Sequence, residues 1–121
     1  MTETLKTLQN PDRQRDYVIE LHKCLEFDQE TFSITLKYVA DKLVLVHDTF
    51  EDYLDQCQVL EWNTPEGLAA NIIEDCMDLL VPKWIRVHIF YMNENSGLQA
   101  NIYLEDRQPN WTNDALISRC Y

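Results

Sequence analysis

The stretch that most constrains the fold is residues 64–84, TPEGLAANIIEDCMDLLVPKW. Thr64 can cap a helix, and Pro65 falls at its first position, where a missing N–H is no loss. Pro82 cannot continue it. Between the two prolines, Leu68, Ile72, Cys76 and Leu79 make one apolar stripe, widened by Ile73 and Leu80. The spacing predicts a helix that delivers the chain into a strand at Trp84. It also puts a carboxylate, Glu66, in the first turn. There it favours the helix dipole by about 0.3–1 kcal/mol, and it can accept the paired N–H groups of a guanine-like base.

The period of the apolar residues changes along the chain. Residues 17–24 alternate, with Tyr17, Ile19 and Leu21 opposite Val18, Glu20 and His22. Residues 31–39 alternate more cleanly, with Phe32, Ile34, Leu36 and Tyr38 on one face. Both predict antiparallel strands, joined by a loop over residues 25–30. Asp48 can cap a first helix whose stripe is Phe50, Tyr53, Leu54 and Cys57. Residues 84–92 and 99–104 predict two more strands, turning through residues 93–97. Residues 1–16 read as a polar arm. Residues 105–121 read as a polar tail that forms a short helix or wraps a neighbour.

The order β-β-α-α-β-β predicts an α+β domain over residues 1–121, a four-stranded antiparallel sheet with two helices on one face. The other face keeps Val18, Phe90 and Tyr103, which implies contact with another subunit. Trp62 and Trp84 are expected in the core or an interface, His88 at a surface or interface, and Glu74, Asp75 and Asp78 on a solvated helix face.

Composition removes several function classes. The 121 residues carry a formal net charge of -11, which argues against a general phosphate-binding, nucleic-acid or anionic-membrane surface. No apolar run approaches the length of a membrane span, and the N-terminus does not read as a signal peptide. Cys24, Cys57, Cys76 and Cys120 show no metal spacing, and His22, His47 and His88 fall on different elements. The cysteines are expected as reduced thiols in the cytoplasm, which makes Asn110-Trp111-Thr112 a chance sequon. No P-loop, GxGxxG or Ser-His-Asp pattern is present.

Four collinear segments resemble the nitrile reductase (7-cyano-7-deazaguanine reductase) family of the tunnelling fold. LQNPDRQRDYVIEL, residues 8–21, resembles its Asn-Pro arm and first strand. ITLKYVADK, residues 34–42, resembles the second strand and its turn. Glu66, Asn71 and Pro82-Lys83-Trp84 match its glutamate helix, asparagine and next strand, and Gly97 fits its last turn. The resemblance implies an oligomer that binds a deazaguanine base at subunit interfaces through Glu66. It also implies a cysteine thioimide reduced by NADPH, in queuosine biosynthesis.

The chain departs from that pattern at the chemistry. The loop that carries the family's nucleophile and acid is shorter here and holds no cysteine. Cys24 precedes it and Glu30 falls near the acid position, so these are the candidate nucleophile and proton donor. Lys23 and His22 would help to activate Cys24. In the NADPH motif Asp48 and Glu51 replace lysines, and two further cationic positions read Gln58 and Asn95. Such an acidic pair repels a polyanionic cofactor. The family's histidine before the glutamate is Pro65. Three readings follow: a divergent base-binding relative with reductase activity in doubt, a non-catalytic subunit that pairs with a complete reductase chain, or a different enzyme using Cys24 or Glu30.

Overall fold

Thr64 ends an extended segment at φ -145, ψ 155, and its hydroxyl accepts the Gly67 N–H at 3.0 Å. The helix it opens is α2, Pro65–Leu80, as the two prolines require. The computed structural model describes residues 2–57 and 64–121. Gln58 and Trp62 lie outside the described residues. The elements run β1 (Thr7–Gln9), β2 (Val18–Phe27), β3 (Glu30–Val39), β4 (Leu43–Leu45), α1 (His47–Cys57), α2, β5 (Trp84–Asn93), β6 (Gln99–Arg107) and α3 (Asp114–Ile117).

The main sheet is antiparallel in the order β2-β3-β5-β6. Its alternation is the one expected: Phe32, Ile34, Leu36 and Tyr38 of β3 are buried, as are Ile85, Val87 and Ile89 of β5. They form one core with Phe50, Tyr53, Leu54 and Cys57 of α1 and Leu68, Ile72 and Cys76 of α2. Each Leu, Ile or Phe fully buried there contributes about 1.5–3 kcal/mol. The chain is thus an α+β structure with its long helices on one face of the sheet, and α2 packs across β5 and β6.

Several expectations change. Residues 25–30 are not a loop: β2 runs to Phe27, β3 starts at Glu30, and Leu25 is buried. Asp28, at φ 51, lets the chain reverse over Asp28 and Gln29 alone. Asp48 lies within the first turn of α1 rather than before it. The arm is partly structured, because β1 pairs with β4 in a second small sheet. Asp75 is half-buried, not solvated: the Tyr53 hydroxyl donates to its Oδ2 at 2.5 Å. Burial first, and then that carboxylate, push the Tyr53 phenol far above its usual range.

Trp84 is fully buried. The tail explains where. β6 continues to Arg107, and then α3 folds back so that Ile117 and Cys120 pack on Val39 and Trp84. The chain's own tail, rather than another subunit, therefore covers one end of the open face. Val18 packs partly against it, while Tyr103 stays 53% exposed. No helix among the described residues is long and apolar enough to cross a membrane.

Candidate functional site

Glu66 is exposed in the first turn of α2. Among the described residues, no hydrogen bond or ion pair holds its carboxylate. Its two oxygens are open to a partner with paired donors. Asn71, which the resemblance also marks, does not join it. Its amide points toward α1, with Nδ2 donating to the Tyr53 hydroxyl at 3.5 Å.

Topology sets where Glu66 sits. Only residues 81–83 separate α2 from β5, and the two pack together, so they run antiparallel. The start of α2 therefore lies at the end of the sheet where β5 finishes. Both hairpins are at that end: Glu30 pairs with Phe27 and Asn93, and the Glu94 N–H donates to the Gln29 carbonyl at 2.8 Å. Gly97 shapes the second hairpin at φ 76, and its N–H bonds to the Asn93 carbonyl at 2.8 Å. Glu66, Glu30 and Asn95 thus gather at one end of the molecule.

Cys24 does not join them. It lies inside β2, opposite Ser33, while Glu30 shares the side of β3 that carries Phe32. With a strand period of two, Cys24 faces the open side and Glu30 the helix side. They cannot act on one atom within a protomer. Lys23 lies on the other side of β2 from the thiol, the helix side, and bonds Glu51 at 3.0 Å. That bond holds the Lys23 ammonium above its ordinary range.

His22 does approach the thiol. Its Nε2 is 3.7 Å from Cys24 Sγ, and its Nδ1 is 2.9 Å from Thr35 Oγ1. Ser33 Oγ is 3.4 Å from the same sulfur. If Nδ1 carries the proton and donates to Thr35, Nε2 offers a lone pair to the thiol. The sequence places His22 and Cys24 on one face by their spacing. It could not show Ser33 and Thr35, which arrive through the β2–β3 register.

The start of α1 is acidic in space as well as in sequence. Asp48 and Glu51 are exposed there, and Lys23, the cation beside them, is already committed to Glu51. Exposed Lys6 also lies beside this helix start, its N–H bonded to Thr49 and its carbonyl to the Val46 N–H, so among the described residues two carboxylates face one uncommitted cation here. Burial pushes the Cys57 thiol up to about 11 and Cys76 up to about 12, so neither is a useful thiolate. Among the described residues no cluster of three His, Cys, Asp or Glu could hold a metal.

No protein-family model matches the chain, and no curated protein matches it.

Proposed function

We propose that this chain is a tunnelling-fold protein, a divergent relative of the nitrile reductases, that binds a purine-like or deazaguanine base through Glu66 where copies of it meet. The observation that supports this reading is the exposed Glu66 carboxylate, free of described partners, at the end of the sheet where both hairpins turn. A carboxylate accepting two N–H groups from one base edge makes charge-assisted bonds, each about 1.5–3 kcal/mol. NADPH-dependent reduction is not part of the proposal, since Asp48 and Glu51 stand where the cofactor needs cations. The chain serves as a binding or regulatory subunit, alone or beside a complete reductase.

Titration calorimetry with 7-cyano-7-deazaguanine tests it. Wild type should bind, and Glu66→Gln should bind at least about tenfold more weakly, the loss of one such bond. Equal affinity in the variant, or no heat at millimolar base, would overturn the reading. NADPH should not be consumed in the presence of the base.

The Cys24–His22 contact favours a second reading, a thiol chemistry on the open face. Incubation with the nitrile should then give a mass adduct that disappears in Cys24→Ala. An adduct that persists in that variant would remove Cys24 from consideration.

A further inference from the structure

The open face carries a second constellation, well away from Glu66. The register sets Glu20, Lys37, Arg86 and Glu105 in one row across β2, β3, β5 and β6, and His22, Thr35, His88 and Tyr103 in the next. Lys37 and Arg86 are direct cross-strand neighbours on the two central strands. Like charges so placed repel unless something negative lies between them.

Little among the described residues supplies that charge. Glu20 comes only to 4.0 Å from Lys37. Glu105, opposite Arg86 in register, pairs instead with Arg107 at 3.0 Å and accepts a bond from the Tyr121 hydroxyl. No described carboxylate lies within ion-pair distance of Arg86, in a chain with 21 acidic residues against 10 basic ones. Both cations turn to one neutral atom, the backbone carbonyl of Cys120. Lys37 Nζ donates to it at 2.8 Å and Arg86 Nη1 at 3.2 Å.

The surroundings hold the guanidinium in place. It lies 4.6 Å from the Tyr103 ring and 4.4 Å from the Tyr121 ring. His88 stacks on Tyr103 at 4.4 Å and bonds Asn101 Oδ1 at 2.8 Å. Lys37, Arg86, His88 and Tyr103, with Thr35 and Glu20, line a cavity of ≈ 240 Å³ beside the Cys120 carbonyl.

We propose that Lys37 and Arg86 form a binding site for a small oxyanion, a phosphate or carboxylate group. The Cys120 carbonyl, held down by Tyr121, occupies the anion's place until a ligand displaces it. An ionised acceptor adds charge–charge attraction and, for Arg86, bidentate geometry that a neutral carbonyl does not offer these donors. Drug-sized ligands fill about 300–1,000 Å³. The cavity is smaller than that, which fits a free anion or a short acid and not a nucleotide. This site does not depend on the Glu66 reading.

Heteronuclear NMR of the full chain tests it, following the Arg86 side-chain N–H and the His88 ring at constant ionic strength set with chloride. Inorganic phosphate and acetate are titrated separately. Saturable shifts at Arg86 are expected, and the tighter of the two anions identifies the phosphoryl or carboxylate source. Arg86→Gln and Lys37→Gln should each weaken binding about tenfold or more. They lie on different strands, so one serves if the other loosens the tail, and the spectrum itself reports folding. Tyr121→Ala should tighten binding about three- to tenfold, because it loosens the occupant that competes. The proposal is overturned if Arg86 shows no saturable shift at tens of millimolar of either anion in wild type and in Tyr121→Ala. It is equally overturned if both glutamine variants fold and bind as wild type does.

Discussion

Asp16 joins parts of the chain that its place in the sequence does not connect. Lys83 Nζ bonds its Oδ1 at 2.8 Å and Asn113 Nδ2 its Oδ2 at 3.1 Å, which ties the arm to the start of β5 and to the tail. Burial alone would raise its carboxyl, but the Lys83 and Asn113 bonds outweigh it and hold the group below the usual range. Because the folded value is the lower one, this contribution is fully present above an ordinary aspartate pKa of about 3.9 and is lost as pH falls through the folded value. Asp16→Asn should therefore cost about 1–3 kcal/mol at neutral pH, and less in acid, by urea denaturation at two pH values. An equal loss at both would contradict the ion pair. Tyr38 is the opposite case. It is fully buried, its hydroxyl accepts the Leu45 N–H at 2.9 Å, and burial pushes its phenol up to about 12. Its contribution is whole below an unfolded pKa of about 10 and is lost as pH rises through the folded value. Tyr38→Phe should cost about 1–3 kcal/mol by leaving that N–H unpaired, and should flatten the alkaline limb of the stability curve. Neither residue was legible as an anchor, since each finds its role in a partner brought by the fold.

The helices are the elements that local sequence specified best. Thr64 caps α2 as its position predicts, and Thr64→Ala should lower stability by about 1 kcal/mol in thermal melts. The other end of α2 was not foreseen. Val81 closes it at φ 43, ψ 57, with its N–H bonded to the Met77 carbonyl at 3.0 Å. A β-branched residue is strained in this left-handed conformation, which glycine adopts freely. Val81→Gly is therefore expected to raise the melting temperature, by about 1 kcal/mol of stability. An unchanged or lower temperature would mean that the exposed valine has contacts worth more than the strain. The strands were harder to delimit. β2 and β3 were read as separated by six residues, and the structure leaves two, because the positive φ of Asp28 is invisible to periodicity. The β1–β4 pairing was missed as well, since three-residue strands carry too little alternation to see.

At the scale of the molecule, the four-stranded sheet ends in two open edges, β2 and β6. Leu98 near the Glu66 end is 62% exposed. If a base site forms between copies, light scattering should give a multiple of the 14.4 kDa chain. A monomer at every concentration would remove the interface on which that reading depends. The sequence by itself determined the order of the main strands and helices, the Thr64 start of α2 and the place of Glu66 in its first turn. Those follow from local period, caps and prolines, which act over a few residues. The tertiary structure alone decided that Cys24 and Glu30 face opposite sides, that Lys23 is spent on Glu51, and that Cys120 sits on Lys37 and Arg86. Each depends on register or on a tail contact, between groups up to 83 positions apart, and no local pattern encodes it.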